Sequence, residues 1–257
     1  MKYIFLVLIM LSSFANAKDD SLAETPGSVW YSVGTSPVES DNVVNSFHVG
    51  QGIVVGHVKT IEVIPFVAVN AANDSKGYPW NNKIELEGGV KLNKNFNNGY
   101  VDIGLAYGTE RLYDYASNVS NSSLMLTTSG WFGYQAMAKY KTPGTVMWVL
   151  GNTSPSDSYN TVGQVRLEQG VTVANVKQAN IDVLAWGQLG FDTQNRSWNN
   201  RTAQGLGVKV VLPFTDGSVT LTGGYECVKS YSDGIENCGP VVKLDIWAGW
   251  KSLKGGK

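Results

Sequence analysis

Charged and apolar residues alternate almost one for one in residues 83–110, KIELEGGVKLNKNFNNGYVDIGLAYGTE. Acidic and basic residues occupy the odd positions at the start of this stretch, isoleucine, leucine and valine occupy the even ones, and a turn-like NKNFNNG interrupts them. A period of two residues is typical of β-strands with two chemically different faces. The apolar face would be the core of a soluble sandwich, but it would point outward to lipid in a membrane barrel.

The first 17 residues, MKYIFLVLIMLSSFANA, have the composition of a secretory signal peptide. A positive charge at Lys2 precedes a short apolar run, and small residues at the end suit cleavage. The apolar run is shorter than the roughly 20 residues that a membrane-spanning helix needs. We therefore predict a signal peptide at 1–17, an N-terminal periplasmic segment at 18–27 and a single barrel domain at 28–257. The alternative for the apolar run is a buried N-terminal strand or helix.

The connections between the predicted strands are sorted by length. Those after even-numbered strands are short, such as KTPG and FTDG, and those after odd-numbered strands are longer and more polar, such as VESDNVVNS and AANDSKGYPWNN. This sorting is typical of outer-membrane barrels, which have short periplasmic turns, longer external loops and an even number of strands. The predicted fold is therefore all-β, an antiparallel up-and-down transmembrane β-barrel of about 12 strands. The predicted strands are 29–37, 46–57, 61–71, 82–93, 100–111, 124–140, 145–152, 161–174, 180–192, 203–213, 218–228 and 239–250.

In such a barrel the polar parity of each strand faces the lumen. Both signs of charge share this parity, so two interpretations stay open. The charges form an ion-paired network that holds a narrow barrel rigid, or they line a small polar pore whose acidic excess mildly favours cations. The predicted lumen-lining charged residues are Lys83, Glu85, Glu87, Lys91, Asp102, Glu110, Arg166, Glu168, Asp182, Lys209, Lys243 and Asp245.

Two cysteines, Cys227 and Cys238, lie at the two ends of one predicted loop. An exported chain reaches an oxidising compartment, so we predict a disulfide between them, with two free thiols as the alternative. Two cysteines and two distant histidines give no ligand spacing for zinc, and neither a metal nor a cofactor is predicted. The formal net charge of −1 predicts no nucleic-acid partner.

With these features the chain resembles the Gram-negative outer-membrane β-barrel proteins as a broad class, over roughly 28–250 and through topology rather than a signature motif. Its second half, in GQVRLEQGVTV, AQGLGVKVVLPF and VTLTGGYECVKSY, is similar to the barrel domains of phage-adsorption and exopolysaccharide-export proteins. The resemblance implies an outer-membrane location in a Gram-negative bacterium. It also implies contacts with outer-membrane lipid and with the barrel-assembly and export machinery, and adds polysaccharide or phage as expected partners. Many proteins of the class end on an aromatic residue that the assembly machinery reads. Here Trp250 is followed by KSLKGGK, so the expected assembly signal is internal or absent.

We expect a non-enzymatic outer-membrane protein, either a narrow pore or a surface component linked to polysaccharide passage or phage adsorption. One alternative is an outer-membrane barrel enzyme that uses His48 at the outer rim, partnered by Asp41, Glu39 or a loop serine. No protease-like or phospholipase-like signature surrounds His48 or His57. Another alternative is a soluble periplasmic β-barrel that binds a ligand, with the apolar parity as its core.

Overall fold

The computed structural model describes residues 25–78, 81–112, 120–136, 141–152, 154–157, 159–197 and 199–250. The predicted signal peptide, 1–17, lies outside these residues, as does 251–257 at the end of the predicted barrel domain. The described residues contain thirteen β-strands and one short 3-10 helix, Pro155–Asp157. The strands are β1 Gly27–Ser36, β2 Glu39–Gly52, β3 Gly56–Val58, β4 Ile61–Asp74, β5 Lys83–Phe96, β6 Gly99–Leu112, β7 Ser120–Gln135, β8 Pro143–Gly151, β9 Val162–Val176, β10 Ala179–Asp192, β11 Arg201–Phe214, β12 Gly217–Ser230 and β13 Glu236–Trp250.

The strands form one closed antiparallel barrel. Apart from β2 and β3, each pairs with its neighbour in the chain, and β1 pairs with both β2 and β13, which closes the sheet together with the pairing of β2 and β4. β2 and β3 both pair with β4, so they occupy a single position and the barrel has twelve. Their separation lies opposite Pro65, whose carbonyl accepts from the N–H of Ile53 at 3.1 Å but which has no N–H to return. The predicted up-and-down barrel of about 12 strands is confirmed.

The two ends of the barrel differ. At one end, which we call the turn end, neighbouring strands are joined mainly by two-residue turns such as 59–60, 97–98, 177–178 and 215–216. The opposite, loop end carries longer connections such as 75–82 and 193–200. The predicted long first connection, VESDNVVNS, is wrong, because β2 already begins at Glu39. Residues of that stretch pair with the ends of β1 and β4, and their alternation continues the ladder beyond the predicted strand. Among the described residues, no helix has the length and apolarity to cross a membrane.

The apolar parity lies on the outside of the barrel. In β6, Ile103, Leu105 and Tyr107 are 50%, 50% and 58% exposed, while the alternate residues Ala106 and Glu110 are buried. The same alternation runs through β9 and β10. In the alternative of a soluble barrel these apolar side chains would form the core inside the barrel. Their position on the outside does not agree with that alternative.

The barrel consists of two halves built to one pattern. The first half, 25–135, contains β1 to β7, and the second half, 142–250, contains β8 to β13. Three consecutive strands of the first half, β4, β5 and β6, have the same lengths as β10, β11 and β12 of the second half. Corresponding residues of these strands are 118 positions apart, as Asp74 and Asp192 show. The sequence repeats with them: TPGSV and TPGTV, DSKGYPWNN and DTQNRSWNN, WFGY and WAGW. Even the turn lysines Lys59 and Lys177 share a positive φ, 59° and 54°.

Candidate functional site in the barrel lumen

The inward-facing side chains of the strands make up the candidate site. The strand register puts all twelve of the predicted lumen-lining charged residues on the inward face. Pairs such as Glu85 and Glu110, or Asp182 and Lys209, are directly opposite each other on neighbouring strands. The lumen is therefore the one region where most of the chain's alternating charges meet.

A first group of lumen charges surrounds Glu168 on β9; we call Arg166, Glu168 and Lys209 the Glu168 cluster. Arg166 Nε donates to Glu168 Oε1 at 2.9 Å, and Lys209 Nζ contacts the other carboxylate oxygen. The Arg166 guanidinium also lies 5.4 Å from the ring centre of Trp186, an arrangement favourable for a cation–π contact. Trp186 Nε1 in turn donates to Glu226 Oε2 at 2.6 Å. Every charge here has a partner, as a confined interior requires.

A second group surrounds Glu110 on β6, whose side chain is fully buried. Lys83 Nζ lies 2.9 Å from Glu110 Oε2, and the hydroxyl of Ser154 donates to the same oxygen at 2.5 Å. Ser154 precedes the 3-10 helix, and Pro155 lies against Gly108 on the inner wall. The β8–β9 connection therefore folds into the barrel and is held there by a buried carboxylate. We call Lys83, Glu110 and Ser154 the Glu110 cluster.

Two further ion pairs among the predicted charges are looser. Lys91 Nζ is 3.8 Å from Asp102 and Lys243 Nζ is 3.0 Å from Asp245. Asp102 also accepts from Asn93 Nδ2 at 2.6 Å. These side chains are more exposed than those around Glu110 and Glu168, so their ion pairs contribute less.

His48 lies within β2 on the inward face, opposite Asn70. Its Nδ1 is 2.6 Å from Asn70 Oδ1, and Asn70 Nδ2 donates to Glu87 at 3.2 Å. The enzyme alternative placed His48 beside Asp41 at the outer rim. In the structure Asp41 is instead paired with Lys76 at 2.5 Å. Strand β2 begins at Glu39, so His48 lies further along the strand than the sequence predicted.

The middle of the lumen is narrow. Several inward-facing apolar side chains there are no more than 9% exposed, and the small cavity beside Glu168 and Lys209 has a volume of about 40 Å³. At the turn end, by contrast, large inward-facing rings are partly exposed; we call Trp30, Tyr100, Trp131 and Trp247 the aromatic mouth. The buried apolar residues of the middle are Ile64, Ala68, Met125, Leu184, Trp186 and Val241.

At the loop end of the first half, one carboxylate gathers four donors. Asp74 Oδ2 accepts from Asn42 and Asn81 at 3.3 and 2.7 Å. Asp74 Oδ1 accepts from the backbone N–H of Tyr78 and from Asn82 at 3.0 and 3.2 Å. These bonds tie the β4–β5 loop to β2, and we call the group the first cap.

The second half has the same cap around Asp192. Its Oδ2 accepts from Asn160 and Asn199 at 3.2 and 2.8 Å, and its Oδ1 from the N–H of Arg196 and from Asn200 at 2.9 and 3.1 Å. Sequence reasoning missed both caps, although the repeated Asp and the WNN eight residues into each loop were a usable signal.

The two cysteines lie on the outward face, opposite each other on β12 and β13. Their sulfur atoms are 2.01 Å apart, the distance of a disulfide bond. In the loop between them, the backbone N–H of Ile235 donates to Asp233 at 3.0 Å, which holds the pKa of that carboxyl below its usual range. Among the described residues, the one cluster of three potential metal ligands is Cys227, Glu236 and Cys238, and its two sulfurs lie at bonding distance from each other.

Comparison with known proteins gives no family. No family model and no curated protein matches the chain. Among solved structures, an outer membrane channel from Pseudomonas putida F1 is 11% identical, with 91% of this chain and 98% of that chain covered and a TM-score of 0.47. The β domain of the Bordetella autotransporter BrkA is 12% identical, with 89% and 99% covered and a TM-score of 0.44. The translocator domain of the autotransporter NalP from Neisseria meningitidis is 13% identical, with 97% and 95% covered and a TM-score of 0.41. All three TM-scores are below 0.5, and the fold of this chain rests on its own strand pairing.

Proposed function

We propose that the protein is a non-enzymatic barrel of the outer membrane with a narrow, charge-lined pore. The observation that carries the proposal is the inversion of the two faces. Leucine, valine and tyrosine side chains on the outside are about half exposed, while carboxylates such as Glu110 and Glu168 are buried inside. Apolar exteriors of this extent need lipid around them, and a closed barrel leaves no unpaired strand edge in that lipid. The turn end then faces the periplasm and the loop end faces outward.

The narrow interior favours ions and small polar solutes. Carboxylates outnumber basic side chains among the twelve lumen-lining residues, so cations are favoured over anions. We place the constriction at Trp186 and the Glu168 cluster, because the apolar ring and the paired charges lie at the same level of the wall.

Cell fractionation followed by bilayer recording tests this function. The protein is expected in the outer-membrane fraction, to migrate faster on a gel when unheated, and to give small, weakly cation-selective single-channel currents. Trp186→Ala should raise the conductance, since the first half already has Ala68 at this position. The outward-facing Val183→Ala serves as the matched control. A protein found in the soluble periplasm contradicts the membrane assignment, and a membrane protein that never conducts contradicts the pore.

A second candidate, passage of a saccharide chain, is favoured by the aromatic mouth. Flat aromatic rings with an apolar body suit the faces of sugars. Neutral oligosaccharides added on the turn-end side should interrupt the ion current, and Trp30→Ala with Trp247→Ala should shorten each interruption. Interruptions that are unchanged in this variant would count against saccharide binding at the mouth.

A further inference from the structure

The barrel has two seams between its halves, and the two seams have corresponding strand registers. One joins β13 to β1, with Gly27 opposite Trp250 and Gly34 opposite Lys243. The other joins β7 to β8, with Gly144 opposite Tyr134 and Gly151 opposite Thr127. Each of the four residues named for the first seam has its counterpart among the four named for the second seam. The strand that starts a half therefore meets the strand that ends a half in one register at both places.

A glutamine clamp accompanies each seam. Gln51 Nε2 donates to the carbonyls of Thr25, Pro26 and Gly52 at 3.2, 3.2 and 2.9 Å.

The second clamp repeats these bonds one by one. Gln169 Nε2 donates to the carbonyls of Thr142, Pro143 and Gly170 at 3.1, 3.2 and 3.1 Å. In both halves a side chain of the second strand holds the backbone where the first strand begins, next to the seam. Each clamp therefore lies at the end of a half, beside a seam.

The strands that end the halves also match. WFGY lies at the end of β7, just before Gln135, and WAGW lies at the end of β13. The first tryptophan of each, Trp131 and Trp247, points inward at the turn end. The ring of Tyr134 covers Gly144 in one seam, and the ring of Trp250 covers Gly27 in the other. An aromatic side chain thus packs over the first glycine of the partner strand in both places.

We infer that the β7–β8 seam is a second closing seam, equivalent to the β13–β1 seam, so that the barrel is an internal dimer of two six-position units. The interaction surface is the edge of β1 or β8, and its partner is the end strand of either half. The inference concerns closure of the barrel and is independent of the proposed pore.

Circular permutants of the whole barrel test it, each exported behind the natural residues 1–24. In the seam permutant the chain starts at Lys141, runs to Trp250, continues through a copy of residues 135–141 into Thr25 and ends at Ala136. Two control permutants use the same linker but open the chain inside a half, at the counterpart turns 97–98 and 215–216.

The seam permutant should reach the outer membrane in the heat-modifiable form at the level of the natural order. The controls should reach it at least about tenfold less, because their terminal strands lack the clamp and leave an exposed edge during closure. Equal assembly of all three permutants, or failure of the seam permutant alone, would overturn the inference.

Single substitutions in the natural chain keep the inference testable even if permutation itself disturbs folding. Gln51→Ala and Gln169→Ala should each lower the temperature of heat conversion, and the outward-facing Gln204→Ala should leave it unchanged. If Gln51→Ala alone lowers it, the two seams are not equivalent.

Discussion

The two halves of the barrel share their frame and differ in their lumen. The caps around Asp74 and Asp192 agree bond for bond, and the clamps of Gln51 and Gln169 do the same. Inside, however, Gly50 of the first half corresponds to Glu168, and Ala68 to Trp186. The turns, caps and seams therefore specify this barrel, while the inward-facing side chains can differ widely between its halves.

The differences inside the lumen compensate for one another. A Cβ on Gly205 would lie 2.4 Å from the Trp186 ring, so the large ring fits because its neighbour on β11 is a glycine. In the first half the counterpart of that glycine is Glu87, and it stands next to the small Ala68. Large and small residues have exchanged strands, so each wall places one large side chain beside one small residue.

Lys83→Met should have the largest effect, because it leaves the fully buried Glu110 without its cation. We expect a loss of about 3–5 kcal/mol in the free energy of unfolding, measured by urea titration in lipid vesicles. Adding Glu110→Val, which copies Val228 of the second half, should restore most of it. The exposed Lys229→Met is the control, and a double variant as unstable as the single one would show that the pair is not what stabilises this wall.

The cysteine pair has a hydroxyl counterpart in the first half, where Thr109 and Ser122 lie 2.9 Å apart at the same place in the ladder. Replacing Cys227→Thr and Cys238→Ser copies that pair. We expect a loss of about 2–3 kcal/mol, since a disulfide constrains the unfolded chain and a hydrogen bond does not. Reductant should lower the stability of the natural protein by the same amount and leave the variant unaffected, and a natural protein insensitive to reductant would contradict this.

Lys91 and Lys209 are counterparts with different surroundings. Lys209 contacts Glu168, which is 10% exposed, whereas Lys91 is 3.8 Å from Asp102, which is 18% exposed. Lys209→Met should therefore cost about 1.5–3 kcal/mol, and Lys91→Met less than about 1 kcal/mol. Equal losses in the same urea titration would mean that burial does not distinguish the two ion pairs.

The caps should give the most symmetrical effect. Asp74→Asn and Asp192→Asn each replace an acceptor-only group by one that also donates, and we expect each to cost about 1–2 kcal/mol. Because the two caps do not touch, the double variant should lose the sum of the single losses. Unequal or non-additive losses, measured by heat conversion and urea titration together, would contradict the equivalence of the halves.

The sequence predicted the barrel, its twelve positions and the inward parity of its charges, because these depend only on a period of two. It did not predict the partner of each charge, since partners depend on the stagger between strands. Lys209 reaches Glu168 two strands away, and Ser154 reaches Glu110 across 44 residues. Reading strand by strand also missed the repeat, which only a comparison of distant stretches such as DSKGYPWNN and DTQNRSWNN brings out.

The two lumen lysines suggest how a duplicated gene product of this shape diverges. A tube made of two identical walls sets every inward charge against its own copy across a narrow, poorly hydrated space, and like charges there repel. Lys91 and Lys209 have found counter-charges at unrelated positions, Asp102 and Glu168, where the opposite half has Thr220 and Gly50. A cap or a turn meets only its own neighbours and can stay identical in both copies. After duplication, such a barrel is expected to change first in its interior and last in its turns.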